Sequence, residues 1–269
     1  MVSIIIINYN TFDLVVDCIL SIKHNVVNIE YEIIVVDNAS IDDSARKLTE
    51  KFPDIKVLSN TENLGFAEGN NVGISKAEGD QILLLNSDTV FLNNALGFTK
   101  KTLEENPQLG IVTCSLQYPN GKKQHNCQSF PNGLKLLLEK SRLFKLLPAK
   151  FRSSYLQGVY FNYDQTGAPD WVWGTYFHFK RSLLDAFPNK RLPADYFMYV
   201  EDLQWCYLAR KAGWKIAYNP LGQILHLMGQ SKGETKKNIE RNQYDFIQRY
   251  YSYYEIMLLK LAGWKSIHG

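Results

Sequence analysis

"QILLLNSDTVF", residues 81–91, joins two features that rarely share a segment. Ile82-Leu83-Leu84-Leu85 is an unbroken apolar run, the pattern of a strand buried on both faces. Asn86-Ser87-Asp88 follows at once. A carboxylate beside a buried strand is costly unless it is paired or coordinates a cation. If the run belongs to a parallel sheet, Asp88 lies at the carboxyl ends of the strands, where open α/β sheets bind ligands.

The residues before it repeat the pattern. Apolar runs at 2–7, 32–36 and 55–58 predict three more buried strands. Between them, Thr11 is placed to cap a helix with apolar positions Leu14, Val15, Cys18, Ile19 and Ile22. Ser40 is placed to cap a helix near 42–52, and a third helix is expected over 65–77. Such alternation predicts an α/β fold with a mostly parallel sheet covered on both faces. The strands end in Asn8-Tyr9-Asn10, Asp37-Asn38, Ser59-Asn60 and Asn86-Ser87-Asp88. Any one of these is ordinary turn chemistry. Four on one rim is the first functional signal.

Beyond Asp88 the alternation loosens. A helix is expected over 92–105, a strand over 111–114, and a hairpin at "YPNGKK", 118–123. Residues 134–152 hold six Lys/Arg against one Glu among many leucines. This reads either as a helix lying on anionic lipid or as a loop-helix packed on the domain. A strand is expected over 171–179, short helices over 182–187 and 203–212, and short strands at 216–218 and 223–227. One last helix is expected over 234–261, striped by Ile239, Phe246, Ile247, Tyr250, Tyr254, Met257, Leu258 and Leu261. It either packs back on the domain or anchors at a membrane interface with Trp264, Lys260 and Lys265.

The 269 residues are 45% hydrophobic and 21% charged, which suits a globular chain with a sizeable core. Net charge is +3, from 30 basic and 27 acidic residues, and gives no sign of a nucleic-acid partner. Cys18, Cys114, Cys127 and Cys206 form no C-x-x-C pair and read as core thiols of a reducing compartment. "VSIIIINYN" shows no leader pattern, and no apolar run nears the roughly 20 residues that span a bilayer. The expected place is cytoplasmic, with peripheral contact at the inner face of the cell membrane. Oligomeric state is left open.

The first strand is followed by "NYNTFDLVVD", without the G-x-G-x-x-G of dinucleotide sites or a P-loop. The glycine- and arginine-rich first turn of a sugar-phosphate nucleotidyltransferase is also missing. Asp88 with Asn86 suits Mg²⁺ or Mn²⁺, hard cations that share their shell with substrate phosphates. Glu201-Asp202 precedes a helix, where acidic residues also suit the helix dipole. His226 follows an apolar run and reads either as a core histidine or as a ligand.

Taken in order, "VSIIIINYNT", "IIVVDNAS", "NLGFAEGNN", "ILLLNSDT", "DWVWGTYFHFKRSLLD", "FMYVEDLQWCYLARKAGW" and "HLMGQS" resemble the inverting glycosyltransferases of family 2. The resemblance implies the GT-A (nucleotide-diphospho-sugar transferase) fold, with a Rossmann-like, mostly parallel central sheet and helices on both faces. It places a transferase domain over 1–231, with a nucleotide-sugar half (1–115) and an acceptor half (116–231), and a helical extension over 232–269. The nearest subgroup is rhamnosyltransferase-like, where N-x-D commonly replaces D-x-D.

By that resemblance Asp37 bonds the pyrimidine of a nucleotide-sugar. Asn8, Tyr9, Asn10, Gly65 and Asn70 surround the nucleoside and diphosphate, with Asn86 and Ser231 near the phosphates. Asp88 and His226 hold the metal, and Asp202 is the catalytic base. Trp171, Trp173, Gly174 and Glu201 meet the acceptor. The expected donor is dTDP-L-rhamnose or a UDP-hexose, and the expected acceptor a saccharide, free or lipid-linked, of bacterial cell-surface polysaccharide synthesis. The alternatives are a sugar-phosphate nucleotidyltransferase and a non-catalytic nucleotide-sugar-binding protein.

Overall fold

The apolar runs of the first ninety residues form strands, as their composition predicts. The computed structural model describes residues 1–228 and 235–264. Its elements begin β1 (Val2–Asn8), α1 (Phe12–Asn25), β2 (Tyr31–Asp37), α2 (Ser44–Lys51), β3 (Lys56–Ser59), α3 (Gly65–Lys76) and β4 (Gln81–Asn86). There follow β5 (Thr89–Phe91), α4 (Ala95–Glu105), β6 (Leu109–Gln117), β7 (Cys127–Gln128), α5 (Gly133–Lys140) and α6 (Ala149–Tyr155). The chain continues through β8 (Trp171–Val172), β9 (Tyr176–Lys180), α7 (Glu201–Lys211), β10 (Lys215–His226), α8 (Thr235–Tyr250) and α9 (Tyr253–Leu261).

The main sheet has the order β3-β2-β1-β4-β9-β6-β10-β5. β3, β2, β1 and β4 are mutually parallel, as are β6 and β10, while β9 and β5 run antiparallel to their neighbours. This is the GT-A fold. Both expected halves, 1–115 and 116–231, contribute strands to this one sheet.

Successive strand residues alternate between its two faces. Ile5, Ile34, Val36, Ile82, Leu84 and Phe177 enter one cluster. Ile4, Ile6, Ile33, Val35, Leu83, Leu85 and Tyr176 enter the other. Each such fully buried side chain contributes about 1.5–3 kcal/mol. Cys18, Cys114, Cys127 and Cys206 are buried free thiols. The edge strand β3 is short and carries Lys56, which pairs with Glu32 at 2.9 Å, a common protection against edge-to-edge pairing.

Several local expectations change. Thr11 stands at the N-cap of α1 without a capping bond, because its hydroxyl is spent on Asn8. Ser40 caps no helix; α2 starts at Ser44, and the Ser40 hydroxyl accepts from Asn8 and Asn10. The basic stretch is broken into α5, a 3₁₀ turn at Leu143–Leu146 and α6, with Arg142 left-handed at φ 60° and Pro148 at the start of α6. The strand expected over 171–179 splits into β8 and β9 around Gly174. The two short strands at 216–227 are one, β10, with a register shift between Asn219 and Gln223. Pro220 and Gly222 lie in that shift, and these residues belong at bulges.

The C-terminal helix is two helices. Ser252 and Glu255 form a capping box that restarts the chain as α9. Phe246, Ile247 and Leu259 pack on Tyr196, Val200 and Leu203. Tyr254, Met257 and Leu261 of the expected stripe are exposed. The hairpin at 118–123 forms, with Gly121 at φ 77° and Gln117 bridged to Lys123.

Candidate active site

Register builds the rim. Asn8 pairs with Asp37, Asp37 with Ser59, and Ile7 with Asn86. Three parallel strands therefore end in polar side chains at one level, beside the end of β3.

At its centre Asn8 is fully buried, and its amide donates to Asp37 Oδ1 at 2.6 Å and Ser40 Oγ at 3.0 Å. The Ser40 N–H donates to Asp37 Oδ2 at 3.0 Å. Asn10, left-handed at φ 56°, accepts the Ile41 N–H at 2.8 Å and gives its own N–H to Ser40 Oγ. Tyr9 is half exposed beside them. Asn8 Oδ1 accepts the Thr11 hydroxyl at 2.8 Å, and Thr11 in turn meets Ser87 Oγ at 3.2 Å. A hydrogen-bonded chain thus links Asp37 to the loop that carries Asp88.

A second group lies behind the first. Asn38 donates to the Gly65 carbonyl at 2.9 Å and accepts from Asn60 at 2.8 Å. Gly65, at φ 77°, lies so close to Phe197 that a Cβ would fall 2.8 Å from its ring. Asn70 is fully buried and donates to the Phe66 carbonyl at 2.8 Å, while its oxygen has no partner among the described residues.

Asp88 and His226 meet because Thr89 of β5 pairs with His226 of β10. His226 Nε2 stands 3.3 Å from Asp88 Oδ1, both nearly buried. The Gln124 amide donates to the His226 carbonyl at 2.9 Å, so its oxygen faces Nδ1 at 2.7 Å and accepts the proton there. A ring held in this way through Nδ1 turns Nε2 toward a carboxylate, and a pair at that distance is joined by a shared proton or by a cation. One imidazole and one carboxylate fit Mg²⁺ or Mn²⁺, which leaves much of its shell to phosphate oxygens and water. Among the described residues no third His, Cys, Asp or Glu joins them. Ser231, expected near the phosphates, lies outside the described residues.

The fourth group carries a candidate base. Asn86 donates its N–H to the Thr175 carbonyl at 3.1 Å, which ties β4 to the start of β9. The next residue back, Gly174, donates its N–H to Asp202 Oδ2 at 2.9 Å. Asp202 Oδ1 accepts the Leu203 N–H at 2.8 Å. Burial pushes the Asp202 carboxyl up to about 6, against the opposing pull of these N–H donors. Glu201 is buried, and burial together with the Asp202 charge drives its carboxyl well above the usual range. Burial thus raises both carboxyls, and the charge of Asp202 raises Glu201 further. Tyr199 and Val200, at φ 70° and 79°, aim this helix start. Left-handed backbone at such residues costs about 1–3 kcal/mol and concentrates at functional sites.

Trp171 and Trp173 pack into different clusters. Trp171 packs toward the Tyr196–Phe246 cluster and donates its indole N–H to the Ser129 carbonyl at 3.1 Å. Trp173 packs on the opposite face of the sheet. Sequence reading placed Ser87 on the rim without giving it a role, and missed Gln124, Thr11 and Ser40 as members of the site. Ser40 and Ser87 were legible as neighbours of Asp37 and Asp88; nothing in "KKQHN" marks Gln124.

Comparison with known proteins adds the family. Residues 3–166 match the profile of "Glycosyl transferase family 2". An uncharacterized glycosyltransferase of Haemophilus influenzae is 30% identical over 112 residues, which are 42% of this chain and 37% of that protein. A poly-beta-1,6-N-acetyl-D-glucosamine synthase of Staphylococcus epidermidis is 32% identical over 117 residues, 42% of this chain and 27% of that one. The matches therefore span a minor part of these curated relatives. In fold, the chain resembles the mannosyltransferase of Pyrobaculum calidifontis in complex with GDP-Man and Mn²⁺, with a TM-score of 0.63, 17% identity, and 98% and 68% of the two chains covered. It also resembles S. aureus TarS 1–349 in complex with UDP-GlcNAc, with a TM-score of 0.59, 17% identity, and 96% and 70% covered.

Proposed function

The chain belongs to glycosyltransferase family 2, and from that premise we propose that it moves one sugar from a nucleoside diphosphate to a saccharide hydroxyl with inversion. One observation carries the reading: the rim of Asn8, Asp37 and Asn86 is joined by hydrogen bonds both to the Asp88 loop and, through Thr175 and Gly174, to Asp202.

An acceptor hydroxyl is a weak nucleophile at neutral pH, so a positioned carboxylate must take its proton as it attacks. Asp202 takes that proton. The hydroxyl oxygen bonds to the anomeric carbon from the face opposite the diphosphate. The bond from that carbon to the phosphate oxygen breaks, and the nucleoside diphosphate leaves with the electron pair. One displacement gives one inversion. Asp37 holds the base of the donor, and Asn8 holds Asp37. Asp88 and His226 would hold a divalent cation, which supplies Lewis-acid stabilisation of the leaving phosphate.

The donor is read as dTDP-L-rhamnose, on the resemblance of N-S-D to the rhamnosyltransferase-like subgroup. A UDP-hexose is the second reading, favoured by the N-acetylglucosamine polymer named for the Staphylococcus relative. The acceptor is read as a growing cell-surface saccharide. A thermal-shift panel of dTDP, UDP, GDP and ADP, each with and without Mn²⁺, tests both. A ligand that binds only the folded state raises the melting temperature by mass action. Cation-dependent stabilisation by dTDP above UDP supports rhamnose, and UDP above dTDP supports the second reading. No response to any nucleotide removes the donor site.

A further inference from the structure

The basic stretch around α5 has a role that the transfer site does not absorb. α5 and α9 pack together: Gly133 lies so close to the Leu258 backbone that a Cβ would come within 2.7 Å of its carbonyl oxygen, and Lys140 Nζ donates to the Gly263 carbonyl at 3.1 Å. Leu143 follows Lys140 by three residues and Leu261 precedes Gly263 by two, so this contact brings the chain segments that carry the two leucines side by side. Leu143 is 54%, Leu146 81% and Leu261 72% exposed, and Phe151 and Tyr253 are open as well. Arg142, Lys145, Lys150 and Lys260 stand in the same segments and form no ion pair among the described residues.

We propose that the 3₁₀ turn after α5, the start of α6 and the exposed side of α9 dock the protein on an anionic bilayer. Isolated exposed leucines are ordinary, but several set among unpaired cations are the composition of an interfacial membrane contact. The chain carries only +3 overall, so the six-to-one basic excess of 134–152 is local and complementary to an acidic surface. An acidic soluble protein would match the cations and leave leucines as exposed as Leu146 without a function. A bilayer accepts both, with the cations at phosphate level and the leucines below. No described helix is long and apolar enough to cross a membrane, so the contact lies in the interface plane.

The surface is tied to the site. Lys135 of α5 pairs with Asp170 at 3.0 Å, immediately before β8, and β8 leads to Gly174 and Asp202. That the docked face brings a lipid-linked acceptor to the base rests on the proposed transfer. The docking itself does not.

The test is flotation of the full chain with phosphatidylcholine vesicles, with and without phosphatidylglycerol, in the absence of nucleotide. Vesicle binding needs no donor, so its failure is distinct from failure of the transferase reading. Binding is expected only with phosphatidylglycerol and is expected to fall with salt. Lys145→Glu with Lys150→Glu should weaken it by at least about twenty-five-fold, at about fivefold per basic residue near the surface. Leu143→Asp with Leu146→Asp should also release the protein. Both pairs are exposed, so melting temperatures should stay at the wild-type value. Three outcomes overturn the proposal: no phosphatidylglycerol-dependent flotation, flotation of both variants equal to wild type, or a wild-type dimer that the leucine variant converts to monomer.

Discussion

Gly174 donates its backbone N–H to Oδ2 of Asp202 across 2.9 Å, joining the start of β9 to the start of α7. With the Leu203 N–H on Oδ1, both carboxylate oxygens are held by main chain. The side chain therefore cannot swing, and a base that cannot swing is already oriented when the acceptor arrives. Gly174 is confined as well: a Cβ there would lie 3.0 Å from the Phe66 ring. The break between β8 and β9 is what frees this N–H from the sheet ladder.

The first prediction concerns pH. Asp202 must be ionised to accept a proton, and its carboxyl is pushed up to about 6. Transfer should rise as pH passes through about 6 and level off above it. Stability has the opposite sign. A carboxyl whose pKa is higher folded than unfolded favours the folded state most at low pH, below its ordinary value near 4, and this is lost as pH rises through 6. Asp202→Asn should thus gain stability over wild type between pH 5 and 7.5, by at most roughly 3 kcal/mol less about 1 for the disturbed N–H bond. Transfer should fall about 10²–10⁴-fold while donor affinity holds. Urea unfolding at two pH values and a transfer assay check both parts, and transfer at the wild-type rate would remove Asp202 as base.

Much of the rim is legible in sequence because β-branched and leucine runs announce buried strands, and their polar ends must then share one edge. Register turns that into geometry: Asn8, Asp37 and Ser59 are level because three parallel strands pair without a bulge. What stayed hidden depends on contacts far apart in sequence. Gln124 reaches His226 across 102 residues from a hairpin with no chemical mark of its own. Thr11 reads as a cap by position, yet Asn8 outcompetes the helix for its hydroxyl. The broken C-terminal helix follows from the Ser252–Glu255 capping box, a local signal masked by continuous helical spacing on either side.

Asp88→Ala should abolish the cation-dependent part of nucleotide binding. The His226 imidazole alone keeps one ligand, too few to hold a hard cation against water. Calorimetry of dTDP or UDP with Mn²⁺ and with EDTA should give two different affinities for wild type and a single one for the variant. Equal dependence on Mn²⁺ in both would sink the metal site.

Gln124 fixes the proton on Nδ1 of His226, so its loss should be felt at a distance from any ligand. Outer partners of metal-binding histidines are worth about 10–100-fold in metal affinity. Gln124→Leu should lose about that much Mn²⁺ affinity and about 1–3 kcal/mol of stability, because the Nδ1–H and the His226 carbonyl are left unpaired. Gln124→Glu can still accept from Nδ1 and should recover most of the Mn²⁺ affinity. Equal affinity for Mn²⁺ in Leu and Glu variants would show that the amide serves only packing.

Gly65 is the point where α3 touches the loop that leads to the base. Its φ of 77° disfavours any side chain, and a Cβ would press on the Phe197 carbonyl oxygen, the same oxygen that accepts the Phe66 N–H at 3.0 Å. Gly65→Ala combines a left-handed backbone cost of about 1 kcal/mol or more with this clash against backbone, which cannot rotate away. Phe197 must move, and three residues later Val200 sets the start of α7. The variant should therefore lose at least about 1–3 kcal/mol in urea unfolding. It should also lose transfer beyond what its remaining folded fraction explains, since a shift of Asp202 by an ångström misplaces the base. A variant as active per folded molecule as wild type would show that the Gly65–Phe197 contact supports the fold without positioning Asp202.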